Sequence, residues 1–178
     1  MQNDDDTVSL ARATLATAQH KSLLFTRPGF LIRRLHQIHS ALFLEETREF
    51  GVTPVQYSLL TALSQHGEME QGTLALEIGL ERTSVAEVIP RLQERGLIER
   101  RQAPQDKRVK RVRLTRKGRN LVNKMAPAVQ RAHDRSLDPL PPEERDLFML
   151  KLIQLVEASH APSAVPLRLR PRKGGEEK

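Results

Sequence analysis

The segment from Leu80 to Gly118 limits the possible folds of this chain more than any other. It reads LERTSVAEVIPRLQERGLIERRQAPQDKRVKRVRLTRKG: a helical apolar pattern, a short strand, a charged turn and a second strand. A helix followed by such a hairpin predicts a winged helix. Between Arg91 and Arg119 twelve Lys and Arg stand against three acids, a local charge of +9, so the rest of a chain with net charge +7 carries −2. Charge concentrated in this way is typical of proteins that neutralise phosphates.

The composition excludes several classes of protein. The 178 residues allow one domain with its own core and short additional elements. No cysteine is present, which excludes disulfides, thiolate metal sites and cysteine nucleophiles. The sequence has no apolar run of the ~20 residues that a membrane span needs and begins with acids rather than a basic signal region, so we expect a cytoplasmic protein. The basic stretch lacks aromatic residues, which argues against a stacking platform for single-stranded nucleic acid.

Two helices are predicted before this segment. The first covers about 29–50 and ends at Gly51, and it has two adjacent apolar stripes that should meet more than one neighbour. The stripes are Leu31, Leu35, Ile38 and Leu42, and beside them Ile32, His36, His39 and Phe43. Thr53 then caps a second helix, with Pro54 at its first position and Gln56 placed for a capping box.

A short helix, a turn and a longer helix follow. The short helix is predicted over Thr73 to Ile78, closed by Gly79, and the longer one over about 83–95, which together make a helix-turn-helix. The core stripe of the longer helix is Val85, Val88, Ile89 and Leu92. Six residues lie on or beside its outward face: Thr83, Ser84, Glu87, Pro90, Arg91 and Glu94. Pro90 removes a backbone hydrogen bond in the helix interior, so we expect a kink there.

The hairpin and two more helices complete the pattern. Leu97 to Arg101 and Arg111 to Leu114 are predicted strands, with Val112 and Leu114 facing inward, and the tip runs from Ala103 to Lys110. Thr115 caps a long helix to about Leu137 that Pro127 bends, and Glu143 begins a last helix. The last helix has more apolar surface than a small winged helix can cover, from Leu147, Leu150, Ile153, Leu155 and Val156.

These motifs resemble the MarR family of winged-helix transcription factors. The resemblance spans about Leu31 to Ala158 and rests on ERTSVAEVIPRLQERGLIERR, on APQDKRVKRVRLTRKG and on the flanking helices. It implies a homodimer that packs its N- and C-terminal helices together, which would cover the apolar last helix. At Glu81 many members have Asp as the helix cap, and since Glu caps less well, we expect the longer helix to begin at Thr83.

The fold class is therefore predicted to be mainly α with a small β-wing, a winged helix-turn-helix plus N- and C-terminal dimerisation helices. Residues 1–20 and 161–178 are predicted to be a disordered N-terminal segment and a disordered basic tail. The regions between them are a dimerisation helix region (21–52), the DNA-binding domain (53–115), and the long helix with the C-terminal dimerisation helix (116–160). The tail residues Arg168 to Lys173 are a solvated end or, alternatively, add nonspecific DNA affinity.

The predicted function is that of a sequence-specific double-stranded DNA-binding regulator, a repressor acting on a pseudo-palindromic operator whose half-sites lie about one turn apart. Base edges would be read or framed by Thr83, Ser84, Glu87 and Arg91, and phosphates bound by Lys107, Lys110 and Arg111. The family's D-x-R wing pattern falls on Asp106 and Arg108. By resemblance, Arg108 enters the minor groove and Asp106 orients it.

His36 and His39, three residues apart, are open to three interpretations. Two histidines do not complete a zinc site, so a metal is disfavoured, and no cofactor is predicted. They are either half-buried at a helix seam or part of an effector pocket. The resemblance implies small aromatic acids or their thioesters as effectors, held in an apolar cavity of Ile32, His36, His39, Phe43 and Tyr57, with Arg33 or Arg34 meeting a carboxylate or phosphate. The run RPGFLIRRLHQIHSALF is also similar to a subgroup that senses aromatic acyl-CoA, which favours a catabolic operon, with an efflux operon as the other possibility.

Two other classes of function compete with this one. A winged helix can be a protein-interaction module that binds an acidic partner through the basic wing, but the outward positions are hydrogen-bonding groups rather than apolar anchors. An enzyme is the weakest hypothesis. The sequence has no cysteine, glycine-rich phosphate loop or nucleophile elbow, and no carboxylate cluster in a plausible cleft.

Overall fold

The structure is a computed structural model that describes residues 2–102 and 110–158. Its helices are α1 (Gln2–Lys21), α2 (Pro28–Glu46), α3 (Pro54–His66), α4 (Gln71–Glu77), α5 (Arg82–Glu94), α6 (Arg116–Leu137) and α7 (Pro142–Ala158). Its strands are β1 (Met69–Glu70), β2 (Ile98–Gln102) and β3 (Lys110–Leu114), and short 3₁₀ helices lie on either side of α2 at Leu23–Thr26 and Arg48–Phe50. The predicted class, mainly α with a small sheet, is confirmed.

The start of α3 has the capping box that the sequence predicts. The Gln56 backbone N–H donates to Thr53 Oγ1 at 3.3 Å, and the Thr53 N–H donates to Gln56 Oε1 at 3.1 Å. Pro54 occupies the first turn, where its missing N–H costs nothing. The helix then buries Leu59, Leu60 and Leu63 in the core.

The sheet has the order β1-β3-β2 and is antiparallel throughout. Val112 of β3 lies opposite Met69 on one side and Arg100 on the other, and its side chain is fully buried. Leu114 is buried as well, so the predicted inward face of this strand is confirmed. The strand β1 was not predicted, because two residues are too short to show an alternating pattern.

The long helix α6 is held to the sheet at its first turn. Thr115 caps it, as predicted, by accepting from the Gly118 N–H at 3.0 Å. Gly118 crosses the chain so closely that an added Cβ would lie directly against the Leu97 carbonyl oxygen. Only glycine fits at this crossing, which joins α6 to the start of the hairpin.

The other end of α6 packs against α2, and the contact is reinforced by charge. Glu46 accepts from Arg131 Nε at 2.8 Å and from Arg135 Nη1 at 2.7 Å. Hydrogen bonds from Arg131 and then Arg135 hold the pKa of Glu46 below its ordinary value. Glu45 pairs with Arg135 as well, at 3.1 Å.

Two expectations about the N-terminal region were wrong. Residues 1–20 were expected to lack regular structure, but Gln2–Lys21 forms α1, because Ala and Leu favour a helix even in a polar segment. The next helix was expected to continue to Phe50, but α2 ends at Glu46. The buried Thr47 stops it by donating its hydroxyl to the Phe43 carbonyl at 2.6 Å, and a 3₁₀ turn leads into Gly51 at φ +58°.

Much apolar surface on the terminal helices is uncovered in the single chain. Leu31, Leu35 and Ile38 of α2 are 45, 36 and 49 % exposed. None of the side chains of α7 is buried, and Leu147 and Leu150 are each 55 % exposed. This agrees with the prediction that the last helix has more apolar surface than one chain covers.

Within residues 2–102 and 110–158, no helix combines the length and the apolar character that crossing a bilayer requires.

Candidate nucleic-acid interface

The helix-turn-helix consists of α4 and α5. Gly79 joins them at φ +68°, a left-handed conformation that favours glycine, and the Leu80 N–H donates to the Ala75 carbonyl at 2.9 Å. The sequence places the start of α4 two residues later and its end one residue later than the structure does, and it places α5 one residue later. The arrangement is that of a recognition helix preceded by a supporting helix.

The first turn of α5 lacks a side-chain cap. Glu81 occupies the capping position but makes no capping hydrogen bond, as expected of Glu, and the helix begins at Arg82 rather than Thr83. Thr83 donates its hydroxyl to Glu81 Oε2 at 3.5 Å, a long contact. The helix continues through the exposed Pro90 to Glu94, and the kink at Pro90 stays a prediction.

The outward face of α5 is solvent-accessible, as predicted. Val85, Ile89 and Leu92 are fully or almost fully buried, which fixes the orientation of the helix. The four side chains assigned to base reading are all exposed: Thr83, Ser84, Glu87 and Arg91. Their placement therefore allows contact with a groove of double-stranded DNA.

The wing is described at its base only. Lys110 is exposed, and Arg111 is half-buried with Nη1 3.6 Å from Glu68 Oε1. Arg113 donates from Nε to Glu99 Oε1 at 2.6 Å, a bond that holds the pKa of Glu99 below its ordinary value. Arg113 is thus engaged within the hairpin. The predicted tip contacts fall outside the described residues: Asp106, Lys107 and Arg108.

The predicted effector residues fall into two groups. Phe43 is buried and its ring lies 5.7 Å from that of Tyr57, while His39 is half-buried one turn earlier on α2. The remaining four are exposed on the first half of α2: Ile32, Arg33, Arg34 and His36. Arg33 lies over the ring of Phe30 at 5.4 Å, and Arg34 donates to Gln37 at 3.1 Å.

His39 lies at the seam between α2 and α6. Ser136 donates its only hydroxyl proton to the Ala132 carbonyl at 2.7 Å, so its oxygen accepts from His39 Nδ1, which is 2.9 Å away. The ring of His133 stacks on that of His39 at 5.3 Å. Burial, followed by the nearby charges of His133 and His36, lowers the pKa of His39. No group of three or more potential metal ligands occurs in the part of the chain that the structure describes.

Three clefts of about 470, 470 and 500 Å³ lie elsewhere, on the lobe formed by α3–α5, the sheet and the start of α6. The first lies between β1, α4, α5 and the start of β3, and Arg82 and Lys110 line it. The guanidinium of Arg82 packs against Gly72. Neither Arg82 nor Gly72 was singled out from the sequence, although a glycine inside a short helix is a signal of close packing.

Comparisons with known proteins agree with this geometry. The model of the MarR family matches residues 52–110. The transcriptional repressor NicR of Pseudomonas putida is 27 % identical over 130 residues, 73 % of this chain and 82 % of NicR. The PcaV transcriptional regulator of Streptomyces coelicolor, solved with its natural ligand, is 33 % identical with a TM-score of 0.68, over 76 % of this chain and 95 % of PcaV.

A third similar protein is BpsR of Bordetella bronchiseptica, whose DNA binding is regulated by 6-hydroxynicotinic acid. It is 29 % identical with a TM-score of 0.71, and the match covers 75 % of this chain and 95 % of BpsR.

The fold and the exposed face of α5 define a winged helix-turn-helix protein of the class that regulates transcription. Within that class, the chain belongs to the MarR family and is a MarR-family transcriptional regulator. The members of this family to which it is similar are regulators rather than enzymes.

Proposed function

We propose that this regulator is a homodimeric repressor that binds a specific double-stranded operator and is controlled by a small aromatic acid or its CoA thioester. The observation that carries the proposal is the outward face of α5. It exposes hydrogen-bonding side chains where an interface with another protein would expose apolar anchors. The segment from Arg91 to Arg119, which begins in α5 and includes the wing, has a local charge of +9 in the sequence, and this charge would supply the affinity for phosphates.

The chemistry of the outward side chains suits base edges. Arg91 can donate two hydrogen bonds to guanine, and Glu87 can accept from the amino group of cytosine. Thr83 and Ser84 can donate to or accept from any base. Arg108 would enter the flanking minor groove, oriented by Asp106, and Lys107, Lys110 and Arg111 would bind phosphates.

The apolar surface of the terminal regions supports the homodimer. Exposed aliphatic side chains concentrate on the first half of α2 and on α7, the helices that the family resemblance assigns to dimerisation. Two recognition helices related by a dyad require a pseudo-palindromic operator, with half-sites about 34–36 Å apart in successive major grooves.

The effector proposal is supported by what similar proteins bind. PcaV was solved with its natural ligand, and 6-hydroxynicotinic acid regulates BpsR. In this chain Phe43, Tyr57 and the half-buried His39 lie on adjoining elements at the junction of α2 with the lobe. An aromatic ring would pack against Phe43 and Tyr57, and Arg33 or Arg34 would meet its carboxylate or the phosphates of a CoA group. A catabolic operon for such compounds is the expected target, with an efflux operon as the second possibility.

The first experiment is a fluorescence-anisotropy titration of the purified protein against DNA from upstream of its own gene and against scrambled DNA of equal length. We expect a preference of about 10³ or more for the native sequence at physiological salt. The contrary result would be binding that weakens with salt and is equally strong for native and scrambled DNA. If this held for the fragment upstream of its own gene and for fragments upstream of the neighbouring genes, it would contradict specific regulation and favour the protein-interaction module.

Single substitutions test whether the wing contacts the operator. Arg108→Ala should weaken operator binding by about 1–3 kcal/mol. Arg12→Ala, which removes an exposed cation from α1, is the matched control and should leave binding unchanged. Wild-type affinity in the Arg108→Ala variant would remove the wing from the mechanism.

The effector is tested separately with a panel of aromatic acids and a panel of aryl-CoA thioesters. We expect one panel to change operator affinity in the wild type and not in Tyr57→Ala. No change with either panel would contradict the proposed pocket and leave the DNA-binding proposal intact.

A further inference from the structure

A cleft of about 470 Å³ separates the recognition helix from the base of the wing. Its walls are the end of β1, the first two turns of α4, the first two turns of α5 and the start of β3. The lining residues are Glu70, Gln71, Gly72, Thr73, Leu76, Arg82, Ala86 and Lys110. Arg82 and Lys110 are cations, Gln71 and Thr73 add uncharged hydrogen-bond donors, and Glu70 is the single acid of this lining.

Arg82 is held in a defined position in this cleft. A Cβ built on Gly72 would lie 3.4 Å from Arg82 Cζ and Nε and 3.5 Å from Nη2, so the guanidinium plane lies against the bare backbone of α4. Any side chain longer than a methyl group at position 72 would occupy the space of the guanidinium. Packing of this kind restricts the rotamers of a flexible side chain before it binds anything.

Both cations are available to a ligand. Among the ion pairs of residues 2–102 and 110–158, none includes Arg82 or Lys110. By contrast, Arg101 and Arg113 of the neighbouring hairpin both pair with Glu99. The two cations that line the cleft thus stay outside the ion pairs that Arg101 and Arg113 form within the hairpin.

The position of the cleft indicates which anion it takes. With α5 in the major groove and the wing in the flanking minor groove, one sugar-phosphate strand separates the two grooves and has to pass between the two elements. The cleft lies between the start of α5 and the start of β3, which follows the wing tip. We propose that it binds a backbone phosphate of this strand, with Arg82 as a bidentate ligand positioned by Gly72 and with Lys110 beside it. This inference rests on the proposed DNA-binding function.

Glu70 gives the cleft a second property. Its carboxylate lines the same walls as the two cations and would repel a phosphate bound there. Neutralising Glu70 should therefore strengthen binding to any duplex, whereas a base-reading residue would alter the choice of sequence. Glu70 therefore lowers the affinity for operator and nonspecific DNA alike and leaves the preference between them unchanged.

The test measures affinity and salt dependence together. Anisotropy titrations with operator and with scrambled duplex, repeated between about 50 and 200 mM salt, give a slope that reports the number of phosphates neutralised. Arg82→Ala should weaken binding to both duplexes roughly tenfold and reduce the slope by about 1, with the preference between them unchanged. Glu70→Gln should strengthen binding to both. Arg12→Ala, which removes an exposed cation from α1, is the control and should change neither quantity.

Substitutions at position 72 test whether Gly72 positions the Arg82 guanidinium for its contact with the phosphate. Gly72→Ala places its methyl group at ordinary contact distance from Arg82 and should bind like the wild type. Gly72→Leu displaces the guanidinium and should reproduce the loss and the slope of Arg82→Ala, and combining the two changes should add nothing. Leucine is a better helix former than glycine, so α4 is not weakened by the change itself.

Several outcomes would overturn the proposal. Wild-type affinity and slope in Arg82→Ala would show that no phosphate is bound there, and a loss confined to the operator would make Arg82 a base-reading residue. Arg82→Lys, which keeps the charge and should keep the slope while losing part of the affinity, tests the same contact if Arg82→Ala folds poorly. If the wild type shows no preference for an operator, the proposed function fails, but the slope change on nonspecific DNA still tests the cleft.

Discussion

The lobe formed by α3–α5, the sheet and the start of α6 differs from the terminal helices in how it uses apolar side chains. In the lobe Leu59, Leu74 and Val112 are completely buried. On the last helix, Leu147 and Leu150 remain 55 % exposed. The lobe therefore completes a core within one chain, whereas the terminal helices hold apolar surface that the single chain leaves uncovered. Stability of the first should not depend on protein concentration, and association through the second should.

The two regions also differ in how they use charge. Where α2 packs on α6, Glu46 pairs with both Arg131 and Arg135, so the charges there hold two helices together. On the lobe, Arg82 and Lys110 take part in none of the ion pairs of the described residues. The charges at the contact of α2 with α6 therefore pair with one another, whereas the two cations that line the cleft of the lobe stay outside the ion pairs of the described residues.

Two helical glycines, one in each region, provide the strongest test of the difference in packing. Gly118→Ala forces a methyl group against the Leu97 carbonyl and should lower the free energy of unfolding by about 3 kcal/mol or more. Gly29→Ala in α2 meets nothing within 4 Å and should change it by less than about 1 kcal/mol, on the stabilising side. Urea unfolding of both variants measures the difference, and equal effects would contradict the contrast between the regions.

The uncovered face of α7 should govern association. Leu150→Glu is expected to raise the dissociation constant of the homodimer by about 100-fold or more, about 2.7 kcal/mol, because a charge enters an apolar interface. The secondary structure of the lobe should persist. Gln154→Glu adds the same charge to the same helix at an exposed polar position and is the control. Sedimentation equilibrium gives the constants, and unchanged association in Leu150→Glu would mean that α7 is not part of the dimer interface.

The helix caps show the same contrast with a smaller effect. Thr53→Ala removes one half of the capping box of α3 and should cost about 1 kcal/mol. Ser22 accepts from the Leu24 N–H at 3.3 Å in an exposed 3₁₀ turn, and Ser22→Ala should cost less than about 0.5 kcal/mol. Thermal unfolding of the pair distinguishes them, and a larger effect at Ser22 would show that the N-terminal turn contributes more to stability than its exposure indicates.

The elements of the lobe were predictable because local signals mark them. Thr53, Pro54 and Gln56 specify the start of α3, and Val85, Ile89 and Leu92 specify the buried face of α5 through their spacing. Alternation in β3 also placed Val112 correctly. In each case the neighbours in sequence are the neighbours that matter in space.

Other features depend on contacts that sequence spacing does not show. The end of α2 is determined by the hydrogen bond from the Thr47 hydroxyl back to the Phe43 carbonyl. Because of this bond the helix does not continue over residues 47–50, where the sequence pattern predicts it. The strand β1 exists only because Met69 lies beside Val112, 43 positions away. No sequence motif marks Arg82, at the start of α5, as a functional residue. Its position against Gly72 depends on how α4 and α5 pack. The side chains proposed to read bases were assigned correctly to the outward face, and their roles stay predictions.

The smallest expected effect is a pH dependence from His39, which lies where the two regions meet. Burial and the charges of His133 and His36 lower its pKa below the ordinary value of 6.5, so the unfolded chain binds the proton more readily than the folded one. Its contribution to stability is therefore fully present above pH 6.5 and is lost as pH falls through the lower pKa of the folded state. Glu46, whose pKa is also lowered, loses its contribution to stability only at more acidic pH.

Unfolding free energies measured between about pH 5 and 8 should thus fall less steeply toward acid in His39→Gln than in the wild type. Equal curves would mean that the seam between α2 and α6 tolerates a charged imidazole, and that the packing there is as open as that of the terminal helices.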